Sequence, residues 1–244
     1  MRILLIRHGD PDYENDTVTE KGKREAKLLA DRLIHERIDE AFVSTMGRAR
    51  DTAEPTLKAK NITPTYCDWL REFCARQIHR PDRPDIEKIC WDWLPQDWMR
   101  YEEFFRYDEW FDQPVMAEVG MKEYATEITD ALDKMLEAHG YKRDGHLYRA
   151  IRPNDDTLAL FCHFGVGCIL IGHMIGISPM PLWHGLAAAP TSVTTIYTEE
   201  RREGIASFRV TCYGDTTHLH DAGEPISFSA RFCEQYTNMD ERHD

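Results

Sequence analysis

The first apolar run, Ile3-Leu4-Leu5-Ile6, is unbroken and predicts a short strand buried on both faces. It stops at Arg7-His8-Gly9, and Asp10-Pro11-Asp12 ends regular structure. Helical spacing follows over 23–36, where Ala26, Leu29, Ala30, Leu33 and Ile34 share one face behind Thr19 as N-cap. Ala41-Phe42-Val43 predicts a second strand. A strand-to-helix turn at 44–53 comes next, with Ser44 and Thr45 as candidate caps and Pro55 set to kink or shorten the helix. Residues 65–69 predict another short strand. Met121, Tyr124, Ile128, Ala131, Leu132 and Met135 predict a helix over 115–139 that ends at Gly140. Residues 141–156 are polar, with a turn at 153–156. The apolar strand 157–162 then delivers His163-Phe164-Gly165 into a helix, 166–175, that is apolar nearly all round. Residues 191–198 and 205–213 predict an antiparallel pair around Glu200 to Gly204. Beyond His220 the chain is mixed and acidic, a tail or a contact arm.

Strands alternating with helices predict an α/β fold, and such sheets bind ligands at the carboxyl ends of their strands. Two buried strands here end in a histidine and a glycine. Arg7 adds a permanently charged, fork-shaped donor suited to phosphate or carboxylate. His8 adds a nitrogen that is neutral and nucleophilic near neutral pH, and Gly9 lets the backbone approach a ligand. An Arg-His-Gly by itself is most often a solvated strand end. Arg48, at a helix start where backbone donors add to its guanidinium, turns the balance toward one anion site shared with His163. Arg50 reads as a solvated neighbour.

Between Cys74 and Pro114 the rings Trp91, Trp93, Trp98, Tyr101, Phe104, Phe105, Tyr107, Trp110 and Phe111 crowd together among acids. Pro95 can start a helix with Trp98, Tyr101 and Phe105 on one face. The stretch is expected to be an inserted cap with its own aromatic core. No flexible linker or repeat divides the 244 residues, so a single domain, 1–244, with an insertion at about 74–114 is expected.

Composition narrows the function. A net charge of −13 argues against a nucleic-acid surface, and no apolar run approaches a membrane span. Seven cysteines without CxxC spacing, and an opening that lacks signal-peptide order, predict reduced thiols in the cytoplasm. Cys162 and Cys168 read as core. His218, His220 and Asp221 could suggest a metal, but no helical HExxH or cysteine pair supports one, and none is expected.

The motifs Leu5-Ile6-Arg7-His8-Gly9, Thr19-x-x-Gly22 and Arg48-Ala49-x-x-Thr52-Ala53 resemble the histidine phosphatase superfamily, which includes the cofactor-dependent phosphoglycerate mutases. The resemblance covers roughly 1–73 and 157–220. It implies a three-layer α/β/α fold with a mostly parallel central sheet, here with an inserted, aromatic-rich helical cap. It further implies that His8 takes up a phosphoryl group, that Arg7, Gly9, Arg48 and His163 surround it, and that Glu72 of Leu70-x-Glu72 donates and accepts the proton. Asp68 and Glu87 stand as substitutes for Glu72. Phe164, where the acid-phosphatase branch often has Asp, points to the mutase-like branch. No metal or organic cofactor is implied. A phosphatase for a small phosphate monoester is the expected activity. Phosphoglycerate mutase and a non-catalytic phospholigand-binding protein are the alternatives, and a homodimer is left open.

Overall fold

In chain order the elements are β1 (Arg2–Arg7), β2 (Pro11–Asp12), β3 (Thr17–Val18), α1 (Glu20–Leu33), β4 (Glu40–Ser44), α2 (Gly47–Lys60) and β5 (Thr65–Cys67). The middle of the chain holds β6 (Gln77–His79), β7 (Glu87–Ile89), α3 (Pro95–Trp98), α4 (Pro114–Ala117), α5 (Met121–Ala138), β8 (Tyr141–Asp144) and β9 (Leu147–Ala150). It closes with β10 (Thr157–Cys162), α6 (Phe164–Ile175), α7 (Pro179–Gly185), β11 (Val193–Arg202), β12 (Ile205–Asp215) and α8 (Thr217–Ala222). This computed structural model describes residues 1–229 and 231–243.

One eight-stranded sheet, in the order β5-β4-β10-β1-β11-β12-β9-β8, runs through the middle. From β5 to β1 the strands are parallel; beyond β1 every pairing is antiparallel. The parallel half is the one anticipated, and it carries the strand ends of interest. Side chains alternate across it. Leu4, Ile6, Ala159 and Phe161 face Leu29 and Leu33 of α1 and Ala53 and Leu57 of α2. Ile3, Leu5, Leu158 and Leu160 face Ile128 and Leu132 of α5 and Val166 and Leu170 of α6. Helices on both faces give the three layers.

Local chemistry explains where elements begin and where they depart from expectation. Thr19 caps α1 by accepting from the Gly22 amide at 3.1 Å, but the helix runs three residues earlier at each end than its spacing suggested. At α2 neither Ser44 nor Thr45 is the N-cap. Met46 holds that position, and the Gly47 amide donates to Asp16 Oδ2 at 2.8 Å. Pro55 does not shorten α2, which runs on to Lys60 with Thr52, Ala53, Thr56 and Leu57 buried on either side of it. One missing amide is outweighed by that packed face. The helix expected over 115–139 is two, because Gly120 adopts a left-handed conformation between α4 and α5. The polar stretch after Gly140 hides the hairpin β8–β9, turned at Gly145-His146.

The 74–114 segment is less helical than expected. It comprises the β6–β7 hairpin, two short 3₁₀ turns and the four-residue α3. Trp98 ends α3, so Tyr101 and Phe105 do not share a helix face with it. Both remain about half exposed while Trp98 is buried against Phe104, Phe105 and His184. Trp93, Trp98, Phe104 and Trp110 belong to the same core as α5 and α6. Among the described residues, no helix is long and apolar enough to cross a membrane.

Candidate active site

Strand register assembles the site. Arg7 pairs with Cys162 across β1 and β10, so the next residues, His8 and His163, leave neighbouring strands at one level. Their rings lie 5.1 Å apart. On the other side of β10, Phe161 pairs with Val43, which puts Ser44 Oγ 2.8 Å from His163 Nε2. The end of β4 leads through Gly47 to Arg48, in the first turn of α2. Gly9 turns away at once: its amide donates to Thr52 Oγ1 at 2.8 Å, and a Cβ on it would meet the Gly22 carbonyl at 3.0 Å. Arg7, His8, Arg48 and His163 are all buried.

Each of these side chains is held by one edge and left open on another. Arg7 Nη1 donates to the Ala188 carbonyl at 2.5 Å, while its Nε has no partner. Arg48 Nη1 pairs with Asp16 at 2.6 Å, and its Nε likewise lacks a partner. His8 Nδ1 lies 2.7 Å from the Gly9 carbonyl. A carbonyl only accepts, so Nδ1 carries the proton and Nε2 keeps its lone pair. Ser44 Oγ accepts from the Met46 amide and lies 2.8 Å from His163 Nε2, while His163 Nδ1 has no partner. Burial, then neighbouring positive charge or imidazole, holds both imidazoles well below the usual histidine range. Burial also pushes Arg7 down, opposed by Tyr13 and Glu72. Two guanidinium nitrogens and one imidazole nitrogen are thus buried without partners at these strand and helix ends.

Glu72 joins the group from beyond β5. Its Oε1 accepts from the Phe73 amide at 2.8 Å and the Val166 amide at 3.0 Å, so the carboxylate sits on the first turn of α6, whose N-cap is His163. The two substitutes lie elsewhere. Asp68 accepts from the Thr45 hydroxyl at 2.6 Å, and Glu87 pairs with His79 in the exposed β6–β7 hairpin. Arg50 is exposed and covers the Tyr66 ring. Buried His218 contacts Thr191 and Arg32, whereas His220 and Asp221 are exposed, so those three converge on no common point.

Several site residues escape a reading by motif. Asp16 anchors both Gly47 and Arg48 from a left-handed conformation, a role set by a loop fold rather than by spacing. Ser44 and Thr52 were visible as polar residues in a strand-to-helix turn, but their partners were not. Of the two readings of the segment beyond His220, a tail or a contact arm, the contacts are those of an arm. Glu224 pairs with Lys21 and Arg24, Ser227 donates to Asp10, and Ser229 accepts from Arg7 Nη2 through both its carbonyl and its hydroxyl at 3.3 Å.

The chain is similar to known proteins in sequence and in fold. Phosphoserine phosphatase 1 of Hydrogenobacter thermophilus is 22% identical over 225 residues, covering 87% of this chain and 94% of that protein. A protein named as a probable phosphatase in Schizosaccharomyces pombe is 42% identical over 82 residues, which spans 30% of this chain and 39% of the relative. Among solved structures, a mycobacterial glucosyl-3-phosphoglycerate phosphatase superposes with a TM-score of 0.57 at 14% identity, covering 88% of this chain and 99% of that one. A phosphoserine phosphatase of Entamoeba histolytica superposes at 0.56 and 18% identity over 89% and 98% of the two chains. The profile of the histidine phosphatase superfamily (branch 1) matches residues 3–211, a span that contains both strand-end histidines, Arg7, Arg48 and the 74–114 segment. With that match and the paired strand ends, the chain belongs to the histidine phosphatase superfamily.

Proposed function

We propose that this protein hydrolyses a small phosphate monoester through a phosphohistidine on His8. The observation that carries this reading is the set of buried nitrogens without a partner, Arg7 Nε, Arg48 Nε and His163 Nδ1, beside His8, whose Nδ1 is taken up by the Gly9 carbonyl. The substrate dianion accepts from them, with the Gly9 backbone close by. His8 Nε2 attacks phosphorus, the phosphorus–oxygen ester bond breaks, and the departing alkoxide takes a proton from Glu72. Because Oε1 is engaged by two amides, the proton travels on Oε2. Charge spreading over the equatorial oxygens is met by the two guanidiniums. Water then loses a proton to Glu72 and attacks phosphorus, which breaks the nitrogen–phosphorus bond and releases phosphate.

The 74–114 segment, in this reading, is a cap within a single domain and sets which leaving group fits. A cytoplasmic location agrees with seven free cysteines. Rapid acid-free quenching with a labelled monoester should trap an acid-labile phosphoramidate on the wild type and none on His8→Ala. Label retained on the variant would remove His8 from the role. Assays on a panel that includes 3-phosphoglycerate should show phosphate release; isomerised product without release would instead indicate a mutase, and binding without either a phospholigand-binding protein.

A further inference from the structure

The inserted segment meets the site through Trp91. A Cβ on Gly165 would overlap Cη2 and Cζ3 of the Trp91 indole and lie 2.7 Å from Glu72 Oε1. The indole edge and the carboxylate therefore meet over the space that a glycine leaves. The indole is backed by the Trp183 ring at 5.6 Å, and Trp183 Nε1 donates to the Gly165 carbonyl at 3.0 Å. On the main-chain side, Tyr124 donates to the Glu72 carbonyl at 3.2 Å and stacks on Phe73 at 4.5 Å.

We propose that Trp91 is a positioning residue for proton transfer: seated in the space left by Gly165, its indole covers the Glu72 carboxylate and keeps water from it. This rests on the reading of Glu72 as proton donor. Oε1 is taken up by two amides, so the proton passes between Oε2 and the leaving oxygen, and water kept from the carboxylate keeps that transfer direct. The titratable groups around Glu72 are Arg7 from β1, Arg48 from α2, Arg71 and Cys74 on either side of it in the chain, Cys90 from the segment after β5, Tyr124 from α5, His163 at the N-cap of α6, and Cys162 and Cys168 from β10 and α6. Burial pushes these thiols up, Tyr124 up to about 12 and His163 down, which leaves the arginines as the charged members of the set. Hydration is thus the variable that Trp91 controls, and the aromatic insertion takes part in the chemistry by excluding water as well as by shaping the site.

Single-turnover phosphorylation of His8 tests this, using an alkyl phosphate, whose alkoxide needs a proton, and p-nitrophenyl phosphate, whose phenolate does not. Trp91→Leu should slow the alkyl ester by roughly tenfold or more, part of the 10²–10⁴ that a positioned acid supplies, and the aryl ester by less than about threefold. Vanadate affinity should stay unchanged, and Trp91→Phe should restore the rate with the alkyl ester. Trp91→Met should give the same contrast and serves if Trp91→Leu does not fold. Glu72→Gln is measured in parallel. If it shows the ester contrast while Trp91→Leu and Trp91→Met slow both esters alike, or neither, Trp91 has no positioning role. If Glu72→Gln shows no contrast, the proton-donor reading fails and this inference with it.

Discussion

At the scale of single residues, the candidate site holds strong donors that are incompletely satisfied. Arg48 is held by Asp16 at Nη1 and by the Met46 sulfur at Nη2, while its buried Nε has no partner and is open to a charge-assisted hydrogen bond. Arg48→Ala should therefore weaken vanadate binding by about 1.5–3 kcal/mol, the worth of a charge-assisted hydrogen bond. Arg50→Ala, at an exposed position two residues on, should leave titration curves nearly unchanged; equal losses would mean that both arginines face the anion. Glu72→Gln keeps the shape and both amide contacts at Oε1 but removes the transferable proton. Phosphorylation by an alkyl ester should slow by roughly 10²–10⁴ in a single turnover. Restoration of that rate by a more acidic leaving group would place the defect in proton donation.

At the scale of elements, register does what motif spacing alone could not. Pairing Arg7 with Cys162 sets His8 beside His163 although 154 residues of sequence separate those paired positions. Glycines then decide where elements turn or touch. Gly120 occupies the left-handed region between α4 and α5, where a side chain is strained. Gly120→Ala should lower unfolding free energy by about 1 kcal/mol in urea titrations, with turnover unaffected because the site lies on other elements. A larger loss coupled to altered substrate ranking would show that the α4–α5 junction positions the insertion. In α2, Pro55 is tolerated because burial on both sides of it supports the helix, a case of tertiary packing overriding local preference.

Over the whole molecule, burial of histidines ties stability to pH. His184 and His218 are pushed down to about 4 by burial, and His8 and His163 lie well below 6.5. The unfolded chain binds protons at these side chains below about pH 6.5 while the folded chain does not. Stability from this source is complete above that pH and falls as pH drops toward 4. Urea midpoints should accordingly fall between pH 7 and pH 5, and vanadate should oppose the loss by supplying an anion. The C-terminal arm adds a second long-range dependence through Ser229 on Arg7. Ser229→Asp would set a carboxylate on that guanidinium and should weaken vanadate binding tenfold or more, against little change for Ser229→Ala. Equal affinities for the two variants would show that the arm stands clear of the bound anion.

Much of this protein was legible in its residues. The apolar runs ending in Arg7-His8 and His163 state a buried strand and a polar group at its end, because burial of four or more consecutive apolar positions leaves little choice of element. Arg48 at a helix start and the antiparallel pair near the end follow from equally local patterns. What local pattern could not decide was placement across the chain. Glu72, Asp68 and Glu87 are alike as carboxylates in sequence, and only the fold sets Glu72 against the Val166 amide beside His163. The reach of the C-terminal arm to Arg7 and of Trp91 to Gly165 had no short-range signal either. Secondary structure follows the period of hydrophobic positions along the chain, whereas a site is a convergence of strand ends, loops and an arm in space. Such convergence is fixed by register and packing between segments far apart in sequence, and so belongs to the tertiary structure alone.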